Sequence, residues 1–246
     1  MRYTRYPYRR SFPFHSYFPP GVKWLLISNT AVFVLCYLGG GAIQRHASVL
    51  LALSAEAAIR HLLIYQVFTY MFVHFGTMHV LFNMLGLWFF GVPIEQAWGT
   101  RRFVRFYLYC GLAAGVCVLL VNMAVGDWYT PTLGASGAIF GVLVAFGVLF
   151  PDAIILMFFL FPMKAKYAVM IYVAVELLAT FGPNTGVSTV AHLGGAAFAF
   201  LFLKQRLPVL RLPDAREAYR QWKVDRAKKK FQVYLRKHRG NGPWVN

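Results

Sequence analysis

The sequence predicts an all-α membrane protein, a bundle of six transmembrane helices with both termini cytoplasmic. Composition carries the class: 59% of the 246 residues are apolar and 13% are charged, and the mean hydropathy is +0.53. A soluble domain holds roughly 25% charged residues, so this chain folded in water would expose far too much apolar surface. Segmentation carries the helix count, because apolar runs alternate with connections marked by Gly and Pro. The placement of Lys and Arg carries the orientation.

A helix needs about 20 apolar residues to cross a bilayer. An arm of residues 1–21, rich in Arg and aromatic side chains, precedes the first such run. The run at 23–43 has no small-x-small cleavage site cleanly after it, and we expect a retained helix rather than a removed signal peptide. Gly39-Gly40-Gly41 mark its end. Further spans are expected at 67–92, 102–124, 135–150, 166–182 and 189–205, separated by Gly126-Asp127, Pro131, Pro151-Asp152 and Pro183-Asn184. Span four is short, about 24 Å at 1.5 Å per residue against a hydrocarbon core of about 30 Å. With Pro151-Asp152 at the inner surface, its start lies below the outer one. The stretch Ala153–Phe161 is apolar but too short to span; re-entrant, interfacial and early-span-five placements all fit it. In the tail, 207–246, Asp214 and Glu217 form a helix-capping pattern. There Tyr219, Trp222, Phe231 and Tyr234 interleave with Arg226, Lys228, Lys229 and Lys230, a composition suited to anionic lipid.

Arg2, Arg5, Arg9, Arg10 and Lys23 lie at or before the start of span one, Arg101, Arg102 and Arg105 follow span two, and Lys164 and Lys166 flank the start of span five. Only Arg45 and Arg60 fall in connections on the opposite side, so six spans put 23 of the 25 positive charges inside. An odd number would scatter them. The net charge of +17 therefore reads as a topology signal, and nucleic acid is not an expected partner. The three cysteines, Cys36, Cys110 and Cys117, sit within apolar runs and offer no disulfide framework; they read as small apolar residues.

Polar groups within a bilayer are costly and face the bundle interior or a water-filled cavity. Here they are few: His74, His79, Asn83, Ser136, Glu176 and His192, all but Glu176 assigned to the outer halves of their helices. Ser136 lies in Gly134-Ala135-Ser136-Gly137-Ala138-Ile139-Phe140-Gly141, at the start of span four. A serine there has backbone N–H groups beside it; it is either a helix N-cap or an exposed nucleophile. His192 lies near the start of span six, before Gly195 and Ala199. Gly137-xxx-Gly141 and Gly195-xxx-Ala199 are small-xxx-small motifs that let helix backbones approach, which brings Ser136 Oγ within reach of the imidazole. A neutral His would then accept the serine proton and return it to a leaving amine. Phe140, one turn below Ser136, is placed to pack on that imidazole. Asp127 could serve as a third member but reads better as a solvated turn, so a dyad is favoured. His79 and Asn83 share a helix face and can aim donors at an oxyanion. A zinc site is the alternative, yet the His spacing is five with no Glu between, so neither metal nor cofactor is expected. Glu176 reads as a buried carboxyl satisfied by neighbouring helices.

These residues resemble the rhomboid protease family, over about residues 22–206. The resemblance rests on His74, His79 and Asn83 in span two, Gly134-x-Ser136-Gly137 in span four, and Ala191-His192-x-x-Gly195 in span six. It implies an intramembrane serine endopeptidase with Ser136 as nucleophile and His192 as general base, acting on transmembrane segments of single-span proteins. It implies an oxyanion hole of His79, Asn83 and the Ser136 N–H, and a structural role for His74 in bracing the first outer loop. Phe140, Gly134, Gly137, Gly141 and Gly195 would support the site, and Glu95 with Gly99 would be a helix-packing pair. It further implies lateral substrate access beside span five. Two positions depart from the family's pattern: Tyr65-Gln66 stands where Trp-Arg is frequent, and Phe140 where Tyr is. The organisation expected is an arm, 1–21, a catalytic domain, 22–206, and a tail, 207–246, in a bacterial plasma membrane, with an organellar membrane as the alternative. The alternatives are a catalytically silent rhomboid-like protein that binds membrane clients, and a transporter. The transporter would show inverted repeats, for which the sequence gives no sign.

Overall fold

The computed structural model describes residues 17–157, 160–180, 187–205 and a few positions between 223 and 234. Residues up to Gln205 form one compact unit and Arg206–Asn246 a second, whose described positions are helical. The capping pattern at Asp214 and Glu217, and the Pro183-Asn184 break, lie outside the described residues.

The first unit is helical. Helix α1 (Pro20–Leu38) begins on a proline whose missing N–H costs nothing at that position. It stops at Gly39, five residues short of the expected boundary, and α2 (Gly40–Leu51) starts afresh from Gly40 at φ 68°. After a π-helical turn at Glu56–Arg60 come the single turn α3 (Gln66–Thr69) and a 3₁₀ turn at Tyr70–Phe72. Helix α4 (Thr77–Trp98) follows. The expected span at 67–92 is therefore shifted: its first ten residues are short turns, because Gly76 at φ 98° breaks the backbone ahead of Thr77. Helix α5 (Thr100–Val125), α6 (Ser136–Leu149), α7 (Ala165–Ala179) and α8 (Val187–Gln205) lie within a few residues of their expected bounds.

The apolar stretch after α6 is not an early start of span five. It forms an antiparallel hairpin of β1 (Ile154–Met157) and β2 (Phe161–Lys164), paired from Ile154 with Lys164 to Met157 with Phe161. The run Ile-Ile-Leu-Met is too short for a helix and includes β-branched residues that suit a strand. Its base is closed by the Ala165 N–H donating to Ala153 O at 2.8 Å. Lys164 and Lys166 both flank Asp152, at 3.4 and 3.5 Å.

Helices α1, α4 and α5 are long and apolar enough to cross a membrane. Helix α6 is shorter, with 14 residues spanning about 21 Å. Eleven of those residues are buried, which is the signature of a helix surrounded by others rather than by lipid. Leu35, Leu38, Leu81, Phe82 and Leu120 on the long outer helices are instead exposed, as a lipid-facing surface requires.

Two polar anchors hold this frame. Glu95 is buried and its carboxyl accepts the N–H groups of Gly21 at 2.8 Å and Val22 at 2.7 Å, with the Thr100 hydroxyl donating at 2.5 Å. Those are N–H groups of the first turn of α1 that lack a partner within the helix. The expected Glu95–Gly99 packing pair is therefore a cap for α1 joined to a chain reversal, with Gly99 at φ 80° between α4 and α5. Gln66 is fully buried, and its Nε2 donates to Val49 O at 2.9 Å while its Oε1 accepts from Ser54 N at 3.4 Å. The residue that departs from the family pattern thus ties α2 to α3.

Candidate functional site

The chain enters α6 through a tightly specified turn. Leu53 and Thr132 exchange backbone hydrogen bonds, both at 2.8 Å, and Glu56 N donates to Trp128 O at 2.9 Å. The Arg60 guanidinium lies over the Trp128 ring, 4.5 Å from its centroid. These contacts hold the connection from α5 to α6 against the turns after α2. Gly134 then takes φ 108°, a region that side-chain-bearing residues avoid. Its N–H donates to Tyr70 O at 2.9 Å, and the Ala135 N–H donates to His74 Nε2 at 3.2 Å. His74 is buried but lies ahead of α4 rather than on it, and it braces the turn into α6.

Ser136 is the first residue of α6, with Ala135 in the capping position and no side-chain capping bond. Ser136 thus stands one residue past the N-cap position. The His79 imidazole stands directly against Gly134; a Cβ on that glycine would lie 2.7 Å from His79 Nε2. His74 and His79 meet edge to face, centroids 5.1 Å apart. Asn83, one turn along α4, is buried and donates from Nδ2 to His79 O at 2.8 Å. Its second amide N–H remains for another acceptor.

Helices α6 and α8 approach as closely as their glycines permit. A Cβ on Gly137 would come within 2.7 Å of Ala114 Cβ and 3.1 Å of Ala191 O; one on Gly141 would lie 3.1 Å from Gly195 O; one on Gly195 would collide with Gly137 O. Phe140 stacks on the His192 imidazole with centroids 4.3 Å apart and planes 7° from parallel. The first turns of α6 therefore lie against the stretch of α8 that carries His192. Among the described residues no hydrogen bond joins Ser136 and His192. In resting hydrolytic sites that bond is frequently long or misaligned and tightens with substrate.

One residue belongs to this cluster that sequence reasoning set apart. Glu176 Oε1 lies 3.0 Å from His192 Nδ1. The carboxyl was assigned away from the other polar groups, yet α7 runs from Ala165 towards Ala179, so its second half reaches the level of His192. The contact is at ion-pair distance but off the direction of an Nδ1–H bond, since Nδ1 has no aligned hydrogen-bond partner. Asp127 does not join the cluster; its Oδ1 accepts from Thr130 N at 3.2 Å in the turn after α5. Among the described residues, no three of His, Cys, Asp or Glu converge as metal ligands would.

The Rhomboid domain family matches residues 62–207 of this chain, which covers α3 to α8 and every residue of the cluster. The chain belongs to the rhomboid family. It is 28% identical over 191 residues to the RHOMBOID-like protein 12, mitochondrial, of Arabidopsis thaliana, covering 72% of this chain and 56% of that one. It is 35% identical over 136 residues to the Rhomboid protein 1, mitochondrial, of Saccharomyces cerevisiae, covering 53% and 38%. With the Rhomboid protease GluP of Bacillus subtilis it shares 31% identity over 127 residues, covering 51% and 24%. The chain spans about half the length of the first of these relatives and less of the others. Family membership and the apolar helices make it a membrane-embedded, multi-pass protein.

Proposed function

We propose that this rhomboid is an intramembrane serine endopeptidase whose catalytic unit is residues 22–206. Ser136 is the nucleophile and His192 the general base. The observation that carries this reading is the pairing of an uncapped serine at the first position of α6 with an imidazole stacked on Phe140, one turn along the same helix. The imidazole takes the Ser136 proton as Oγ attacks the peptide carbonyl, then delivers it to the leaving amine. His79, Asn83 and the Ser136 N–H are the donors for the oxyanion. Water hydrolyses the acyl-enzyme by the same proton route.

Substrates are transmembrane segments of single-span proteins, and they must locally unwind, because a helical carbonyl is already hydrogen-bonded and shielded. The α7 side offers lateral access. Of α7, only Ala165, Ala168 and Val169 are buried, all in its first two turns. Six spans with cytoplasmic termini follow from the charge distribution, and lipids are the remaining partners. For the membrane itself, the relatives' names divide between mitochondrial proteins and a bacterial one, and they do not support the bacterial plasma membrane expected from the sequence.

The test is cleavage of a single-span substrate in detergent together with labelling by a fluorophosphonate. Wild type is expected to cleave and to label on Ser136, and Ser136→Ala to do neither. Undiminished cleavage by Ser136→Ala excludes this nucleophile. A folded wild type that binds the substrate without cleaving it or labelling is instead the silent, client-binding rhomboid.

A further inference from the structure

We infer that Glu176 is a positioning residue for His192, a third member of the site recruited from α7. This rests on the protease reading above and deepens it.

The imidazole is held on two sides by different chemistry. Phe140 covers its face, which fixes the tilt of the ring but leaves it free to turn within its own plane. Glu176 Oε1 stands 3.0 Å from Nδ1, at the ring edge, where a carboxylate fixes that second freedom. A carboxylate beside Nδ1 also keeps the proton on Nδ1, so Nε2 carries the lone pair that must accept the serine proton. As Ser136 Oγ bonds to the substrate carbon, its proton passes to Nε2 and the ring becomes an imidazolium. The carboxylate stays ionised and stabilises that cation. The proton leaves again to the amine nitrogen as the C–N bond breaks, and the site returns to its starting charge.

A second observation points the same way. A carboxyl within an apolar helix is expensive, and Glu176 spends it on this one imidazole: its side chain is 22% exposed and that of His192 15%. The other polar or aromatic groups beside His192 come from separate elements, with His79 on α4 and Phe140 on α6. None of them supplies an anion. The off-line angle between carboxylate and Nδ1–H fits an acid delivered by the sparsely buried second half of α7, which can align as substrate fills the site.

The experiment uses the full chain in detergent with a single-span substrate and a fluorophosphonate, comparing wild type, Ser136→Ala, Glu176→Gln and Glu176→Asp. Glu176→Gln keeps shape and removes the charge. It is expected to lower kcat by about 10- to 100-fold, a share of what general-base catalysis contributes. KM is expected to stay unchanged and the labelling rate to fall by the same factor, with Glu176→Asp restoring part of both. Thermal unfolding in the same detergent reports on the fold. A Glu176→Gln protein with wild-type kcat and labelling overturns the inference while Ser136→Ala remains inactive. So does one whose losses match its unfolded fraction, since that is a structural role. Cleavage by Ser136→Ala removes the protease reading itself, and Glu176 falls with it.

Discussion

Gly195 stands where α8 touches α6, and its missing side chain sets how closely the two helices approach. A methyl group there would meet the Gly137 carbonyl oxygen, a backbone atom that cannot swing aside. Overpacking of this kind costs about 1–3 kcal/mol or separates the elements. Gly195→Ala is therefore expected to lower the thermal midpoint and, on the proposed protease reading, to abolish cleavage, because separating the helices also parts the proposed nucleophile and base. Gly41→Ala is the control: its Cβ would meet nothing nearer than Arg45 Nη1 at 3.6 Å, and neither readout should move. The small-xxx-small spacing made this contact legible in the sequence, since it depends on residue size at fixed helical offsets. The roles of Glu176 and Gln66 were not legible. Each works through a partner 16 or more positions away, and nothing local to either residue signals where that partner sits.

At the scale of elements, the long helices were readable because twenty or so apolar residues leave few alternatives in a chain of this composition. Boundaries set by glycine backbone angles, as at Gly76 before α4, were not, and neither was the hairpin after α6, whose strands are stabilised by each other rather than by a sequence period. Glu95 illustrates an element held from outside. Replacing it with Ala leaves the Gly21 and Val22 N–H groups buried without acceptors, at about 1–3 kcal/mol each. Glu95→Ala should accordingly lower the unfolding midpoint and expose the start of α1 to proteolysis before the rest of the bundle. The hairpin's base carries a weaker, pH-dependent tie. Hydrogen bonding from Lys164, aided by the charge of Lys166, holds the Asp152 carboxyl below its ordinary value. A depressed carboxyl contributes its stability in full above the unfolded-state value of about 4 and loses it as the pH falls through the folded one. Asp152 is exposed, so salt screens the effect. Asp152→Asn should differ from wild type only slightly in unfolding midpoint at pH 7 and low salt, and the difference should vanish on acidification below the carboxylate range.

Across the whole molecule, charge and burial have to agree on one placement in the membrane. The polar cluster of His74, His79, Asn83, Ser136 and His192 gathers at one end of α6, beside the turns after α2 that carry Arg60. The hairpin with Lys164 and Lys166 closes the other end. Positive residues in short loops stay on the cytoplasmic side, which predicts the hairpin inside and the cluster towards the outer face. Arg101, Arg102 and Arg105, in the first two turns of α5, are expected on the hairpin side, because α4 runs away from the cluster that its first turns help to build. The proposed even number of spans would return the tail to the side of the arm. Single cysteines placed at Arg2, Arg60, Lys164 and Arg239, on a background with Cys36, Cys110 and Cys117 replaced by Ser, test this arrangement with a membrane-impermeant maleimide applied to sealed cells or organelles. Only the cysteine at position 60 should be blocked before lysis, and the other three only after it. Labelling of position 2 or 239 from outside would break the even count, and labelling at 164 would invert the bundle and move the serine to the opposite face.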